Sequence, residues 1–484
     1  LSVPILHESP ALSARLVACG QDHLLGFWQE LDPEARERLV GELESLNFDL
    51  IERLRGLASS TQASAASPTI SAPETIGLDE VRAGSERVRA ARIRGEEELA
   101  AGRVGLVLVA GGQASRLGCD GPKGDFPVGP VSGRTLFDLH ARRILGLVQR
   151  YGVRMPWYVM TSPANHEETQ AIFEANQWYG LRREDIHFFC QTMLPVLDSA
   201  GRVLMRDRGS LFLAPNGHGG VLEGLASSGC LADACERGIE TLGYFQVDNP
   251  LVRPADALFI GLHCMAGAQM SSKVVRKSSP EEKVGVLGHL DGRLGCIEYS
   301  DMPNELLERR GVDGELVFSA GNIAVHALSV DFIAEITNGG LELPWHLAHK
   351  RIPSLDAAGD ACERDGVKFE TFVFDALGFA ETSVTLEVER REEFAPVKNR
   401  EGADSPDTAR AMMCALHAGW AQAAGLELPK AGEDGVTPLE VDSLLADDLE
   451  SFRAVHTHAP LVTDEGHLYY DPRGSAPGTD RLGS

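Results

Sequence analysis

No apolar run in this sequence is long enough to span a bilayer, and the first residues lack the pattern of a secretory signal. No Cys-x-x-Cys pair occurs. The nine cysteines are scattered, and the nearest two, Cys230 and Cys235, read as helix packing. That spacing excludes the usual structural zinc sites and a disulfide framework, so reduced thiols in a cytoplasmic protein are expected. Positive charge is scarce: 45 Lys and Arg stand against 71 Asp and Glu, for a net charge of −26. Broad nucleic-acid binding and docking on anionic membranes both need a basic footprint, and neither is expected. The G-x-G-x-x-G dinucleotide fingerprint and the Walker A spacing are also missing. A dinucleotide-dependent dehydrogenase therefore has little support.

What is present is ordinary globular composition, 43% hydrophobic and 24% charged, in a chain long enough at 484 residues for two or three domains. One stretch organises it. Val104–Ala110 is an uninterrupted apolar run suited to a strand buried on both faces of a parallel sheet. Gly111-Gly112 breaks the run, and Arg116 and then Pro122-Lys123-Gly124 follow. Strand, glycine turn and fixed cations form a plan for holding a phosphorylated ligand at a sheet edge. Gly-Gly alone is common. The longer pattern G-G-x-x-S-R-L-G followed closely by P-K-G is far more specific.

Around this stretch the chain reads as helix over 1–57, with Asp32-Pro33 as an N-cap and first turn, then a Ser/Ala/Pro-rich connector over 58–77. From residue 104 strands and helices alternate: helix 136–151, strand 157–160, helix 165–176, strand 186–189, a second glycine loop 215–220, and strand 244–247 ending in Asp248-Asn249-Pro250. This rhythm predicts an α/β fold, a doubly wound sheet with ligands beyond the carboxyl ends of its strands. After Ser271 the pattern turns antiparallel, with a hairpin turn at Asp291-Gly292 and strands over 318–326 and 369–377. His346-x-x-His349 is expected on a surface helix after Pro344, with no third metal ligand in view. The expected division is a helical N-terminal region 1–98, a catalytic domain 99–392 and a small C-terminal α+β domain 393–484.

The 104–124 segment resembles the signature of nucleotide-sugar pyrophosphorylases, and in detail the UDP-N-acetylhexosamine pyrophosphorylases of eukaryotic type. Further matches run along nearly the whole chain: GQDHLLGFWQEL near the start, TLFDLHARRI, QTMLP, YFQVDNPLVRPADALFIG, KVVRKSSPEEKVGVL, IEYSDM, SAGNIAVH, FETFVFDAL and the text at Glu389–Asn399. The resemblance implies a Rossmann-like nucleotidyltransferase fold with a mixed sheet. It also implies uridylyl transfer from UTP to a sugar 1-phosphate, with Mg2+. Uridylyl transfer needs no protein nucleophile, so catalysis is positioning plus charge neutralisation.

By this resemblance Gly111 and Gly112 seat the uridine, and Arg116 and Lys123 hold the triphosphate. Lys398, which alone reads as a solvated surface charge, reaches phosphate from the C-terminal side. Asp248 binds the magnesium, in keeping with the one or two carboxylates magnesium usually takes. Gln191 and Gly217 match uracil-reading positions. Gly285, Glu298, Asn322, Phe372 and Phe374 match sugar-pocket positions. Two departures stand out. His218 occupies the place of an Asn implied in sugar recognition, as in the Gly-His-Gly of UDP-glucose and UDP-sugar pyrophosphorylases, which makes such an enzyme the alternative. Ala114 replaces a usual glycine, at a cost of roughly 1 kcal/mol if that position needs positive φ. A non-catalytic UDP-sugar sensor would be expected to lack Lys123, Asp248 or Lys398, and all three are present. The partners expected are small-molecule substrates. The sequence is silent on oligomeric state.

Overall fold

The Val104 run becomes a buried strand, β1 (Val104–Val109), as its apolar content requires. In the computed structural model, which describes residues 10–59, 69–429, 431–432, 435–455, 460–463 and 466–472, it lies at the centre of a ten-stranded sheet. β1 pairs in parallel with β2 (Trp157–Thr161), and β2 with β3 (Ile186–Cys190). On its other side β1 pairs in parallel with β4 (Thr241–Gln246). The chain thus runs outward from β1 to β3 and returns to the opposite flank of β1. With right-handed crossovers, that reversal puts the connecting helices on opposite faces. Two adjacent residues of β2 display it, because successive side chains of a strand point to opposite faces. The Trp157 ring lies 5.4 Å from Phe173 of helix α2 (His166–Ala175), whereas the Tyr158 hydroxyl donates over 2.7 Å to Asp233 of helix α3 (Cys230–Glu236). The doubly wound expectation holds, and helix α1 (Leu136–Tyr151) has the bounds its amphipathic pattern gives.

The remainder of the sheet is antiparallel. It comprises β5 (Met270–Arg276), the hairpin β6 (Val286–Leu290) and β7 (Arg293–Ile297), and β8 (Ala320–Ser329), which pairs with both β4 and β5. Asp291 and Gly292 turn the hairpin with φ of 49° and 86°, the left-handed pair that a type I′ turn requires. Strands Ile70–Ser71 and Thr385–Glu387 add to it. Toward the C-terminus, helix α4 (Pro406–Ala423) carries a capping box at Ser405 and Thr408, and Leu439–Val441, Leu461–Val462 and Leu468–Tyr470 form a small sheet.

Chain contacts divide the protein into two units. The larger comprises Thr69–Cys190, Val221–Leu341 and Ala376–Ser484, and holds the ten-stranded sheet. The smaller comprises Leu1–Pro68, Gln191–Gly220 and Glu342–Asp375. Its helices Pro33–Glu44 and Phe48–Ser59 follow the expected pattern, with the Asp32 side chain accepting from the Ala35 N–H at 2.8 Å. They bury Leu39, Leu43 and Leu54 in one core with Leu197, Val367 and Phe369. The connector expected over 58–77 lies partly outside the described residues, at 60–68.

Two expectations fail here. His346 and His349 are on a strand, β9 (His346–Leu355), paired along its whole length with β10 (Ala361–Glu370). Ten registered pairs outweigh the local helix-start cue of Pro344. The strand expected over 369–377 ends at Glu370, because the Thr371 N–H turns away to the Asn216 carbonyl at 2.8 Å. Phe372 and Phe374 therefore sit on a turn and a 3-10 helix (Val373–Gly378), not on a strand.

Candidate active site

The signature loop leaves β1 at the point where the sheet reverses direction. Its two ends are tied together: the Ala114 N–H donates to the Gly121 carbonyl at 2.9 Å, and the Lys123 N–H to the Gly112 carbonyl at 3.0 Å. Asn165, at the start of α2, donates its amide to the Ala110 carbonyl at 2.9 Å and clamps the loop from below. Gly124 is fixed as glycine by close approach, since a Cβ there would overlap the Phe137 ring of α1. That packing sets where Lys123 stands. Neither Gly111 nor Gly112 has a left-handed φ, and a Cβ at Gly112 would meet nothing within 4 Å. Glycine at 112 leaves open space beside the backbone, as a ligand lying on the loop requires. Ala114 has φ −81°, so the replacement of a glycine there carries no strain.

β4 ends alongside β1, with the Val247 N–H donating to the Val109 carbonyl at 3.1 Å, and delivers Asp248 to the same crevice. The Lys123 ammonium is 3.5 Å from the Asp248 carboxylate, and both are half-buried. Asn249 is wholly structural. Its amide donates to the Glu393 carbonyl at 2.7 Å, and its oxygen accepts from Ala395 at 3.0 Å and Leu251 at 3.3 Å. These bonds draw in the segment carrying Lys398. The Val397 N–H donates to the Asp248 carbonyl at 2.8 Å, so Lys398, exposed, follows one residue after a direct contact with Asp248. Lys123 and Asp248 are thus paired within the larger unit, the backbone of Lys398 is held beside them with its ammonium 5.9 Å from the centroid of the Phe394 ring, and Arg116 is exposed on the signature loop.

No cluster of three metal-ligating side chains occurs among the described residues. A single carboxylate beside cations does not suit an all-protein metal cage. It does fit a magnesium ion held mainly by phosphate oxygens and water.

Gly285, Glu298 and Asn322 form a second group in the larger unit. The Asn322 N–H donates to the Gly285 carbonyl at 2.8 Å, and a Cβ on Gly285 would stand 3.2 Å from a Glu298 carboxylate oxygen. The β5–β8 register shifts at Lys273/Val274, opposite Ala324, which has φ 55°. This bulge re-aims Asn322. The Asn322 amide donates to the Cys296 sulfur at 3.7 Å, and its oxygen accepts from the Ala324 N–H at 3.0 Å. Nothing in the local sequence marks Cys296 as the partner that orients this amide.

The remaining expected residues lie in the smaller unit. The Gln191 amide donates to the Gly217 carbonyl at 2.8 Å. Gly217 has φ 80°, and a Cβ there would overlap the Thr371 carbonyl oxygen, so only glycine fits. The His218 ring stacks on Phe372 at 5.1 Å and meets Phe374 edge-on at 5.5 Å. Its Nδ1 accepts from the Val373 N–H at 3.1 Å. Burial, and secondarily the nearby His346, push the His218 pKa down to about 4, so the ring is neutral with its proton on Nε2. His346, expected to be a bystander, joins this cluster. Its ring centroid is 4.3 Å from that of Phe372, and its Nε2 is 2.8 Å from the Asp375 carboxylate.

Comparison with known proteins identifies the chain's relatives. Residues 72–422 match the family described as UTP–glucose-1-phosphate uridylyltransferase. The chain is 35% identical over 471 residues to UDP-N-acetylglucosamine diphosphorylase 2 of Arabidopsis thaliana, covering 93% of this chain and 92% of that protein. Among solved structures it resembles the uridine diphosphate N-acetylglucosamine pyrophosphorylase of Trypanosoma brucei, with a TM-score of 0.77 and 27% identity over 94% of this chain and 96% of that one. A UDP-glucose phosphorylase of Trypanosoma brucei shares the fold at a TM-score of 0.60 and 17% identity, over 86% of each chain.

Proposed function

The chain belongs to the UTP–glucose-1-phosphate uridylyltransferase family, among its UDP-N-acetylhexosamine pyrophosphorylases, and we propose that it makes UDP-N-acetylglucosamine and pyrophosphate from UTP and N-acetylglucosamine 1-phosphate. The observation that carries this reading is the convergence of Lys123, Asp248 and the Lys398 segment where parallel strands β1 and β4 end side by side. Open α/β sheets bind their ligands at that reversal.

In the reaction an oxygen of the sugar phosphate attacks the α-phosphorus of UTP in line, and pyrophosphate departs from the opposite side. No side chain is consumed. Lys123 and Arg116 bind the triphosphate and lower the energy of charge gathering on the leaving group, and Lys398 adds a third cation. Asp248 holds magnesium, which when bound neutralises phosphate charge. Gly111 and Gly112 leave room for the nucleoside. Gln191 and Gly217 read the uracil. Glu298 and Asn322 bond sugar hydroxyl and amide groups, Gly285 keeps their space open, and His218, Phe372 and Phe374 supply an apolar wall for the acetamido methyl or sugar face.

His218 favours one second reading, a UDP-glucose or broad UDP-sugar pyrophosphorylase. Pyrophosphate release from UTP with the 1-phosphates of N-acetylglucosamine, N-acetylgalactosamine and glucose decides the matter. The N-acetylated sugars are expected to give the higher kcat/KM. Preference for glucose 1-phosphate overturns the sugar assignment, and no release with any sugar overturns the reaction.

A further inference from the structure

Arg400 is the residue that the reaction just described leaves unused. It lies two positions after Lys398 in a loop closed by backbone bonds. The Lys398 and Asn399 N–H groups both donate to the Asp404 carbonyl, at 2.7 and 3.0 Å, and the Asn399 side chain donates to the Ala403 carbonyl at 2.9 Å. This closure fixes the direction in which Arg400 leaves the backbone. Its guanidinium lies across the signature loop at Gly118. A Cβ built on Gly118 would be 3.3 Å from a terminal guanidinium nitrogen of Arg400 and 3.5 Å from the guanidinium carbon. Gly118 has φ 83° and bears no side chain to hold the arginine away.

Arg400 also has no carboxylate within ion-pair distance among the described residues, nor has Arg116 two positions before Gly118, nor Lys398. All three side chains are exposed, and a polyanionic ligand supplies the counter-charge they lack. The planar fork of arginine suits a phosphate group, which it grips through two oxygens.

We propose that Arg400 binds the pyrophosphate portion of UTP and the released pyrophosphate, as a cation additional to Arg116, Lys123 and Lys398. The inference rests on the uridylyl-transfer reading. In the step concerned, the bond from the sugar-phosphate oxygen to the α-phosphorus forms and the bond from the α-phosphorus to the bridging oxygen breaks. The electron pair leaves on pyrophosphate. Arg400 keeps its proton throughout and meets the charge that develops on the leaving group. A UDP-sugar lacks that leaving group, so Arg400 contributes little to binding it.

The test is calorimetric binding of magnesium pyrophosphate and, separately, of UDP-N-acetylglucosamine to the wild-type chain and to the Arg400→Ala and Arg400→Lys variants. Arg400→Ala is expected to weaken pyrophosphate binding about tenfold, in line with losing one charge-assisted contact, while UDP-sugar affinity stays within about twofold. Arg400→Lys is expected to fall between. Unchanged pyrophosphate affinity in Arg400→Ala overturns the inference. An equal loss for both ligands also overturns it, because it marks a structural role for the loop. A wild-type chain that releases pyrophosphate from UTP while Arg400→Ala binds pyrophosphate normally separates failure of this inference from failure of the reaction.

Discussion

The Lys123 ammonium stands 3.5 Å from the carboxylate of Asp248, each half-buried and each neutralising the other. In the proposed reaction both groups take other partners, the lysine a phosphate and the aspartate a divalent cation. On that reading a magnesium nucleotide exchanges one ion pair for two, and both charges are compensated before as well as after binding.

Removing the lysine breaks this exchange at its catalytic end. Lys123→Ala is expected to lower kcat by about a hundredfold or more, as loss of one preorganised charge at a developing anion does elsewhere. The melting temperature should hold, because Gly124 packing and the backbone bonds of the loop remain. Near-normal pyrophosphate release by the variant would sink the assigned role.

Asp248→Asn keeps the shape of the side chain and removes its charge. The magnesium concentration giving half-maximal rate should rise about tenfold or more, and chelation of magnesium should stop turnover by the wild-type protein. A magnesium titration of the two proteins checks this. Superimposable curves would exclude Asp248 as the ligand.

Much of this arrangement is legible from residue patterns because it is local. The run Val104–Val109 is buried on both faces and contains no polar residue, and helix 136–151 keeps its apolar stripe for four turns. His346 and Phe372 were not legible in the same way. His346 is strand because of pairing with residues near 370, and Phe372 leaves that strand because Thr371 is bonded to Asn216, some 155 positions back. The approach of Val397 to Asp248 is likewise invisible locally, since it runs through backbone groups that every sequence possesses. Only the family resemblance points to Lys398. For Arg400 nothing in the sequence does so, because its evidence is the absence of a side chain at Gly118.

Gly217→Ala should destabilise the protein by about 2–4 kcal/mol, combining a left-handed backbone with overlap on Thr371. Urea unfolding followed by near-UV circular dichroism, which reports the aromatic cluster around His218, measures it. A loss below about 0.5 kcal/mol, the level of an ordinary surface change, would mean that the loop moves aside freely.

Stability should fall on mild acidification. Burial pushes the pKa of His140 down to about 3, of His263 to about 4 and of His417 to about 3. The unfolded chain takes up protons at these groups near pH 6.5, whereas the folded chain refuses them until much lower pH. The stabilisation is therefore complete above about pH 6.5 and is lost as pH falls, by about 1.4 kcal/mol per histidine for each pH unit below that value. Melting curves between pH 8 and pH 5.5 should show the decline, and His263→Gln should make it shallower. An identical slope in the variant would contradict the account for His263.

Asp248 and Asn249 differ by little more than an oxygen for a nitrogen, yet they are not interchangeable. The amide of Asn249 is spent on Glu393, Ala395 and Leu251, and the aspartate is left for chemistry. Transposing the pair, Asp248→Asn with Asn249→Asp, preserves volume, composition and β-strand pattern. It puts a carboxylate against the Glu393 carbonyl, which it cannot serve as donor, and an uncharged group against Lys123. The site thus depends on word order rather than vocabulary, and a mutational scan that reads positions one at a time would record two separate losses where the chain encodes a single directional instruction.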